Sequence, residues 1–483
     1  MRKLPLFVFI SLFTTGLFAQ NSEWVYATID VQNAQNLKAN HPNQIQILES
    51  TSLVSAVYMS PEAAMELKDY GNLHGPGYIF RKNQEAALNA LDFAPQGNTN
   101  VLDFTITEDA YVNQCIAMVN ETNIENTILN LQNYGTRFHT KPSGVQASLD
   151  IKANWENMVN TAGRSDISVE FFNHDFTNQK SVIVSIPGTE FPDEIVVIGG
   201  HLDSGDYWIQ NNAPGADDNA SGIGTLTETL RILLETNFQP KRTVQIMGYA
   251  AEEVGLYGSA DIAENYSLND KNVLAVMQLD MTNYNGSDFD IAIISDAAYT
   301  SGELNLFLID LMEHYNSSGD HPITYGISYC GYGCSDHVSW TENGYPASFP
   351  FEAAMGEDNP NIHTTNDTYA AMGSTSIHST KFVKLALEFV IEVAKVENMS
   401  TNEVQASDLL IAVKDRNLIY QLNSSSVKME SVTVFDTGAR KMIENKNLNA
   451  NGSISLQGIP NGFYIAIFKD ANGKAYSKKF LIK

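Results

Sequence analysis

Cysteine is scarce in this chain, with 3 among 483 residues. So few cysteines exclude a scaffold held together by several disulfides, and they are too few for a four-thiolate zinc site. Cys330 and Cys334 enclose Gly-Tyr-Gly, whose two glycines permit a tight turn, so these two thiols can pair after export. Cys115 is left over, and we expect it to be unpaired.

Basic residues are also few. The chain has 29 Lys and Arg but 56 Asp and Glu, which gives a formal net charge of -27. We expect no nucleic-acid partner, since neutralising phosphates requires clustered Lys and Arg. The acidity favours solubility, and a negative field near a site can also attract a protonated amino group. The segment from Asn402 onward differs, with 11 Lys or Arg and 7 Asp or Glu, so the acidity lies upstream of it.

Long apolar runs are missing from the sequence apart from one near its start. Arg2 and Lys3 precede an apolar run from Leu4 to Phe18, and Phe18-Ala19-Gln20 resembles a cleavage region. The run is shorter than the roughly 20 residues of a membrane-spanning helix, which favours a signal peptide at 1–19 over an anchor. We therefore expect an exported, soluble mature protein.

The chain is too long for one hydrophobic core, since cores seldom grow beyond about 250 to 300 residues. Residues 20–101 combine alternating stretches, Val25–Val31 and Leu53–Met59, with a helix-like segment, Pro61–Tyr70, which predicts a small α/β domain. The Pro, Gly and Asn residues of 94–100 then predict an exposed linker, a plausible processing site.

In residues 102–398, strand-like apolar runs alternate with longer helical patterns. One helical spacing begins near Asp218, and further helices are predicted at Glu303–Tyr315 and Ile377–Val396. The alternation predicts an α/β fold, a three-layer α/β/α sandwich around a mostly parallel mixed sheet. The predicted strands are Ser181–Ile186, Glu194–Ile198, Thr243–Met247, Val273–Leu279 and Ile291–Ile294.

Residues 402–483 change to short strand-like stretches separated by Asn-Gly pairs, which are hairpin signals. We predict a separate β-sandwich domain there. Its predicted strands include Ser431–Phe435, Ser453–Leu456, Phe463–Phe468 and Lys478–Ile482.

Acidic and histidine side chains cluster where the predicted central strands end. In open α/β sheets the carboxyl ends of the strands form the ligand crevice, so residues distant in sequence can converge there. Each residue alone has an ordinary explanation, such as a helix cap or a solvated pair. Adjacent carboxylates at buried strand ends are costly unless a dication offsets their repulsion, and a mixed histidine and carboxylate set suits zinc. The side chains at these ends are His201, Asp203, Glu252, Glu253 and Asp280, and Asp218 precedes a predicted helix.

Five ordered motifs within roughly residues 105–398 resemble the motif series of the bacterial leucyl aminopeptidases, which are secreted exopeptidases with two zinc ions. The resemblance implies removal of an apolar residue from peptides with a free amino terminus. The motifs are Gly-His-Leu-Asp-Ser (200–204), Gly-Ala-Asp-Asp-Asn-Ala-Ser-Gly (215–222), Ala-Ala-Glu-Glu-Val-Gly-Leu-Tyr-Gly-Ser (250–259), Gln-Leu-Asp-Met-Thr-Asn-Tyr (278–284) and Ile-His-Thr-Thr-Asn-Asp (362–367).

The resemblance also implies a role for each of these side chains. Of Asp217 and Asp218, the family pattern places the metal ligand second. Asp203 would orient His201, and Glu252 would be the general base that takes a proton from water and passes it to the leaving amine. The implied ligands are His201 and Asp280 for one zinc, Glu253 and His363 for the other, and Asp218 for both.

Pocket residues follow from the same resemblance. Tyr332 matches a position that lines the substrate cleft, in a loop that a Cys330–Cys334 disulfide would hold. Met281, Phe351 and Ile362 match positions of the pocket wall, which suggests a large apolar side chain such as leucine, although the same residues can simply be core.

The outer segments resemble companions of this family. Residues 20–101 resemble its propeptide, which implies a zymogen. Residues 402–483 resemble the carboxyl-terminal sorting domain of type IX secretion substrates, through Phe435-Asp436-Thr437-Gly438, the segment 458–464 and the basic end 478–483. This implies a secretion machinery as partner and an extracellular or cell-surface location, with a carbohydrate-binding module as the alternative. We expect a monomer.

Other functions stay open on the same scaffold. A serine hydrolase is disfavoured, because no Gly-x-Ser-x-Gly occurs at a strand-to-helix turn. A glutaminyl-cyclase-like transferase would use a single zinc, whereas a carboxypeptidase or dipeptidase would differ only in pocket geometry.

Overall fold

The computed structural model describes residues 24–67, 74–92, 104–205 and 210–396, and, further on, 409–414, 416–422, 429–436, 440–446, 448–449, 451–470 and 475–482. The chain divides into two compact units, Met1–Glu397 and Asn398–Lys483. The predicted signal peptide, the linker at 94–100 and the segment joining the two units lie outside the described residues. No helix among the described ranges has the length and apolar character needed to cross a membrane.

The first unit begins with a small α/β fold. Its elements are β1 Val25–Asp30, α1 Val31–Asn40, β2 Ile45–Ser50, β3 Val54–Met59, α2 Pro61–Glu66, β4 Ile79–Arg81 and α3 Gln84–Asn89. The strands form one antiparallel sheet in the order β2-β3-β1-β4. Ala27, Leu37, Val57 and Leu67 are buried between this sheet and its helices, as the alternating apolar pattern predicts.

The rest of the first unit is built from alternating strands and helices. Its helices are α4 Asp109–Ile116, α5 Glu121–Gln132, α6 Pro142–Thr161, α7 Ala220–Glu235, α8 Tyr257–Leu268, α9 Gly302–Asn316, α10 His337–Glu342 and α11 Ser379–Ala394. Its strands are β5 Ser168–Phe172, β6 Ser181–Ile186, β7 Phe191–His201, β8 Arg242–Tyr249, β9 Asn272–Gln278, β10 Ile291–Ile294, β11 Tyr325–Ser328 and β12 Ala347–Phe351.

These eight strands form one mixed sheet in the order β11-β10-β12-β9-β7-β8-β6-β5. The central strands β12, β9, β7 and β8 are parallel, whereas β5 and β6 pair antiparallel at one edge. Side chains of β7 alternate between two cores: Val196 and Ile198 pack with α7 and α11, and Val197 packs with Ile262 of α8 and Trp340 of α10. The predicted α/β sandwich with a mixed sheet is confirmed.

Two glycines near the end of β7 allow the strand to pack very closely against neighbouring residues. A Cβ on Gly199 would lie 2.2 Å from the hydroxyl oxygen of Tyr249, and a Cβ on Gly200 would lie 2.5 Å from the carbonyl oxygen of Leu279. No side chain fits in either space, so glycine allows the strand to continue as far as His201 at this close approach. This places His201 at the carboxyl edge of the sheet.

The second unit is a β-sandwich. Its strands are β13 Leu409–Lys414, β14 Asn417–Leu422, β15 Met429–Asp436, β16 Lys441–Lys446, β17 Asn451–Ser455, β18 Gly462–Asp470 and β19 Ala475–Ile482. They form two antiparallel sheets, β13-β14-β17 and β16-β15-β18-β19. Leu418 and Tyr420 of the first sheet share one core with Val432, Val434 and Phe468 of the second.

Candidate metal centre and active site

Buried histidine and carboxylate side chains lie close together at the carboxyl ends of the central strands. His201 ends β7, Asp280 lies two residues after β9, and Glu252 and Glu253 follow β8. Asp218 precedes α7, where the Asn219 side chain accepts the Gly222 N–H and caps the helix. Parallel strands end at the same edge of a sheet, so these side chains converge although they are far apart in sequence.

Five side chains form two overlapping sets. In one set, His201 Nε2 lies 3.0 Å from Asp218 Oδ1 and 3.1 Å from Asp280 Oδ1. In the other, His363 Nε2 lies 3.0 Å from Asp218 Oδ2 and 3.0 Å from Glu253 Oε2. In each set the ligand-type atoms lie within 4.8 Å of one another, and Asp218 belongs to both.

Asp217 and Asp218 have opposite environments. The two oxygens of Asp218 face the two histidines, whereas Asp217 accepts hydrogen bonds from the Asn283 N–H at 3.2 Å and from Asn359 Nδ2 at 3.0 Å. Burial raises the pKa of Asp217 to about 6. The structure therefore brings Asp218, and not Asp217, to the histidine and carboxylate cluster.

Asp203 supports the turn that carries Glu252 and Glu253. Its Oδ1 accepts the Glu252 N–H at 3.0 Å and its Oδ2 accepts the Glu253 N–H at 3.1 Å, while Oδ1 also lies 3.4 Å from His201 Nδ1. The two preceding N–H groups are held as well, by the Gln179 side chain at Ala251 and by the Ser181 hydroxyl at Ala250. Four consecutive amides of this turn are thus fixed by side chains.

Glu252 lies beside the cluster and is almost fully buried. Its Oε1 has no hydrogen-bond partner among the described residues. Burial raises the pKa of Glu252 well above the usual glutamate value, although the His201 imidazole acts in the opposite direction. A carboxylate with raised proton affinity suits proton transfer from water to a departing amine.

A second layer of buried acids holds Asp218 in place. Asp367 mirrors Asp203, because its two oxygens accept the N–H groups of Asp217 and Asp218 at 3.0 and 3.1 Å. Burial, reinforced by the negative charges of Asp217 and Asp218, raises the pKa of Asp367 to about 8. Glu352 also has a raised pKa through burial and the nearby Asp217 charge.

Two further buried side chains reinforce the centre. The Ser335 hydroxyl donates to Asp280 Oδ2 at 2.6 Å, so this carboxylate is fixed on the side away from His201. The buried Arg137 guanidinium donates to the carbonyl oxygens of Leu202, Pro214 and Gly215, and so ties together the loops that carry Asp203 and Asp218. Both loops are therefore held by one cation.

An apolar wall adjoins the cluster, and it contains all the side chains that the sequence suggested for the pocket. Met281, Phe349 and Phe351 are buried in one group, and Tyr332 and Ile362 pack against it. Cys330 and Cys334 form a disulfide in the loop that carries Tyr332, and Cys115 is free and buried elsewhere.

The donor set suits divalent cations such as zinc. It consists of imidazole nitrogens and carboxylate oxygens, which are the groups that zinc prefers along with thiolates. The Asp218 carboxylate lies within 4.8 Å of Asp280 in one set and of Glu253 in the other, and all three are at most 3% exposed, an arrangement that shared cations stabilise. His201, Asp218 and Asp280 could hold one ion, and Asp218, Glu253 and His363 the other.

Sequence reasoning missed several residues of the site. Asp367 ends a motif that was recognised, and Glu352 directly follows the pocket residue Phe351, so each had a visible signal in the sequence. Gln179 has no such signal, because a single glutamine before a strand is usually exposed. His74 also reaches the centre, with Nε2 at 3.1 Å from Asp280 Oδ2, and its setting in His-Gly-Pro-Gly is the one sequence feature that could have drawn attention to it.

Comparison with known proteins agrees with this architecture. Residues 181–388 match the model of peptidase family M28. A probable aminopeptidase of Saccharomyces cerevisiae is 31% identical over 322 residues, 65% of this chain and 81% of that protein. Leucine aminopeptidase 1 of Aspergillus fumigatus is 34% identical over 301 residues, 59% of this chain and 74% of that protein.

Solved structures show the same likeness. LapA aminopeptidase of Legionella pneumophila superimposes with a TM-score of 0.67 at 29% identity, covering 77% of this chain and 98% of LapA. LapB of the same organism gives a TM-score of 0.66 at 26% identity, covering 77% of this chain and 100% of LapB. The matched region, 181–388, contains all five candidate ligands and Glu252. This chain belongs to peptidase family M28.

Proposed function

We propose that this protein is a metallo-aminopeptidase that removes an apolar amino-terminal residue from peptides with the help of two zinc ions. The main support is the position of Asp218, whose two oxygens face two separate sets of ligand-type atoms. One carboxylate shared by two sets is the arrangement expected of a paired metal site. The similarity to aminopeptidases in both sequence and structure supports the reaction class.

The chemistry divides between the ions and the protein. Bound zinc ions would polarise the scissile carbonyl and make a water molecule more acidic. Glu252, buried and without a hydrogen-bond partner on Oε1 in the described residues, would accept a proton from water and deliver it to the leaving amine. Asp203 would keep Glu252 in place through the backbone of the turn.

The apolar wall supports the proposed specificity. Met281, Phe351 and Ile362 pack in one apolar group, and Met281 and Ile362 directly adjoin the candidate ligands Asp280 and His363 in sequence, which favours an apolar first side chain such as leucine. Tyr332 would border the same cleft from the disulfide-bonded loop.

We also propose a role in export, processing, catalysis or sorting for each segment of the chain. Residues 1–19 would direct export, residues 20–101 would be a propeptide, 102–398 would form the catalytic domain, and 402–483 would be recognised by a type IX secretion machinery. The separate core of the second unit supports an independent role for it. The active protein would be a secreted monomer.

The function is tested with leucine p-nitroanilide and its N-acetyl analogue, after cleavage at a protease site inserted within residues 94–100. The free-amine substrate should be hydrolysed and the acetylated one should not, and full activity should require two zinc ions per chain. Equal cleavage of the two substrates, or cyclisation of an amino-terminal glutamine as the main reaction, would contradict the proposal.

A further inference from the structure

Residues 354–358 lie in the chain between two members of the apolar wall, and their backbone is anchored to neighbouring segments. The Ala354 N–H donates to the Ser287 hydroxyl at 2.9 Å. The Met355 N–H donates to the Ser328 hydroxyl at 3.0 Å, and the Met355 side chain packs against the wall itself. The start of this segment is therefore fixed beside the candidate pocket for the first residue of the substrate.

Asp358 ends this segment, and the backbone on either side of it is also held. Its Oδ1 accepts the Gly356 N–H at 2.8 Å. A Cβ on Gly286 would lie 1.8 Å from the carbonyl oxygen of Glu357, so only glycine allows this close packing just before Asp358. Asn359, directly after it, is fully buried. Asp358 is thus half-buried at a well-defined place next to the wall.

The negative charge of Asp358 acts on the wall residue Tyr332. Burial raises the pKa of the Tyr332 hydroxyl well above its usual value, and the Asp358 charge is the next largest cause. Such an effect requires that the two side chains lie near each other. Throughout the described ranges, no Lys, Arg or His side chain forms an ion pair with Asp358. Its charge therefore adjoins the apolar wall without a basic partner from those ranges.

We propose that Asp358 allows the subsite for the first residue of the substrate to accept lysine and arginine as well as leucine. This inference rests on the proposed aminopeptidase function, and it adds a second class of substrate. Lysine and arginine combine a hydrocarbon stem with a charged end, and such side chains bury the stem against apolar surface. The stem would lie along Met355 and Ile362, and the charged end would pair with the Asp358 carboxylate.

The partial burial of Asp358 suits this role. A fully buried carboxylate would lose its hydration when a charged side chain pairs with it, and this loss offsets much of the attraction. A half-buried carboxylate keeps part of its contact with water, while salt screens it less than a fully exposed one. The same charge repels an acidic first residue. We therefore expect lysine, arginine and leucine to be removed faster than glutamate.

The test uses the zinc-loaded chain cut within residues 94–100, with lysine p-nitroanilide and leucine p-nitroanilide as substrates. The parent should hydrolyse both. Asp358→Asn keeps an acceptor for the Gly356 N–H and removes the charge, so the ratio of kcat/KM for the lysine substrate to that for the leucine substrate should fall about tenfold. Added salt should lower this ratio in the parent but not in the variant, because ions screen the pair.

Two further variants complete the comparison. The matched control is Glu357→Gln, which removes one negative charge from the neighbouring exposed position, and its ratio should equal that of the parent. Asp358→Lys reverses the charge, so its kcat/KM for glutamate p-nitroanilide should exceed that of the parent. A gain on an acidic substrate cannot come from a folding defect, so this variant decides the question if Asp358→Asn folds poorly.

The results separate this inference from the proposed function. Hydrolysis of the leucine substrate alone by the parent, or one lysine-to-leucine ratio shared by the parent, Asp358→Asn and Asp358→Lys, would overturn the role of Asp358 and leave the aminopeptidase intact. If the zinc-loaded, cut parent hydrolyses neither substrate, the proposed function itself is wrong.

Discussion

At the scale of single residues, identical side chains take different roles because of their surroundings. Asp217 and Asp218 are adjacent, but one accepts hydrogen bonds from amides and the other faces two histidines. The sequence shows two carboxylates before a helix and cannot show which way each one faces. The choice of Asp218 therefore needed the family pattern, and the reason for it lies in the contacts of Asp217 with Asn283 and Asn359.

Glu388 is a buried acid outside both candidate ligand sets, and it allows a test of how burial affects a carboxyl pKa. Its side chain in α11 is buried, and its Oε1 accepts a hydrogen bond from Asn316 Nδ2 at 3.0 Å. Burial raises the pKa of Glu388 well above the usual value. Because the folded-state pKa lies above the unfolded one, its contribution to stability is complete below about pH 4.3 and is lost as pH rises towards the folded-state pKa.

Glu388→Gln keeps an acceptor for Asn316 and removes the titration. Its free energy of unfolding should exceed that of the parent increasingly from pH 5 to pH 8, by about 1 kcal/mol or more at the upper end. Urea unfolding of both proteins at several pH values measures the difference. A difference that stays constant across this range would show that Glu388 has an ordinary pKa.

At the scale of elements, the site depends on turns whose backbone amides are hydrogen-bonded by side chains from other segments of the chain. The turn after β8 receives side-chain hydrogen bonds at four successive amides, two of them from Asp203. Asp203→Asn replaces one acceptor oxygen with an amide that cannot accept, so one N–H of the turn loses its partner. We expect metal affinity or kcat to fall about 10- to 100-fold, as when other supports of metal ligands are removed.

The measurement for Asp203→Asn is zinc affinity by chelator competition, alongside kcat on the cut chain. Asp261→Asn is the matched control, because Asp261 also contacts a histidine, His174, but it lies on α8 and is partly exposed. The control should behave like the parent. Unchanged zinc affinity and kcat in Asp203→Asn would show that the turn does not need this carboxylate.

Interior strands of the eight-stranded sheet were more predictable than its edge strands, although the interior strand β12 was missed. The apolar runs at 181–186 and 291–294 give β6 and β10 with the bounds predicted, because buried strands need continuous apolar sequence. The edge strands β5 and β11 were not recognised, since only part of their surface is buried. Helix α6 was also missed, although Ala147, Ile151, Trp155 and Val159 recur at a spacing of four.

At the scale of the molecule, the chain has two units with separate cores. Deletion of residues 402–483 removes the second core only. We expect the shortened protein to keep kcat/KM for leucine p-nitroanilide and to accumulate in the periplasm instead of outside the cell, as the sorting proposal requires. Fractionation of producing cells checks this, and normal export of the shortened protein would contradict the sorting role.

The amino-terminal part shows the limit of sequence reasoning at this scale. Its small α/β fold followed from alternating apolar residues, and β1 and β3 lie where the pattern placed them. The reach of His74 into the centre is a long-range contact with Asp280, 206 positions along the chain. No local pattern encodes such a contact, so only the folded chain shows it.

The central claim is a paired metal centre served by Glu252, and Glu252→Gln in the cut chain tests it most directly. Zinc content should remain two per chain, because Glu252 lies outside both sets of ligand-type atoms. The kcat for leucine p-nitroanilide should fall by about 10²- to 10⁴-fold, the usual contribution of a general base. Near-normal kcat with two zinc ions bound, or loss of zinc from the variant, would contradict the account.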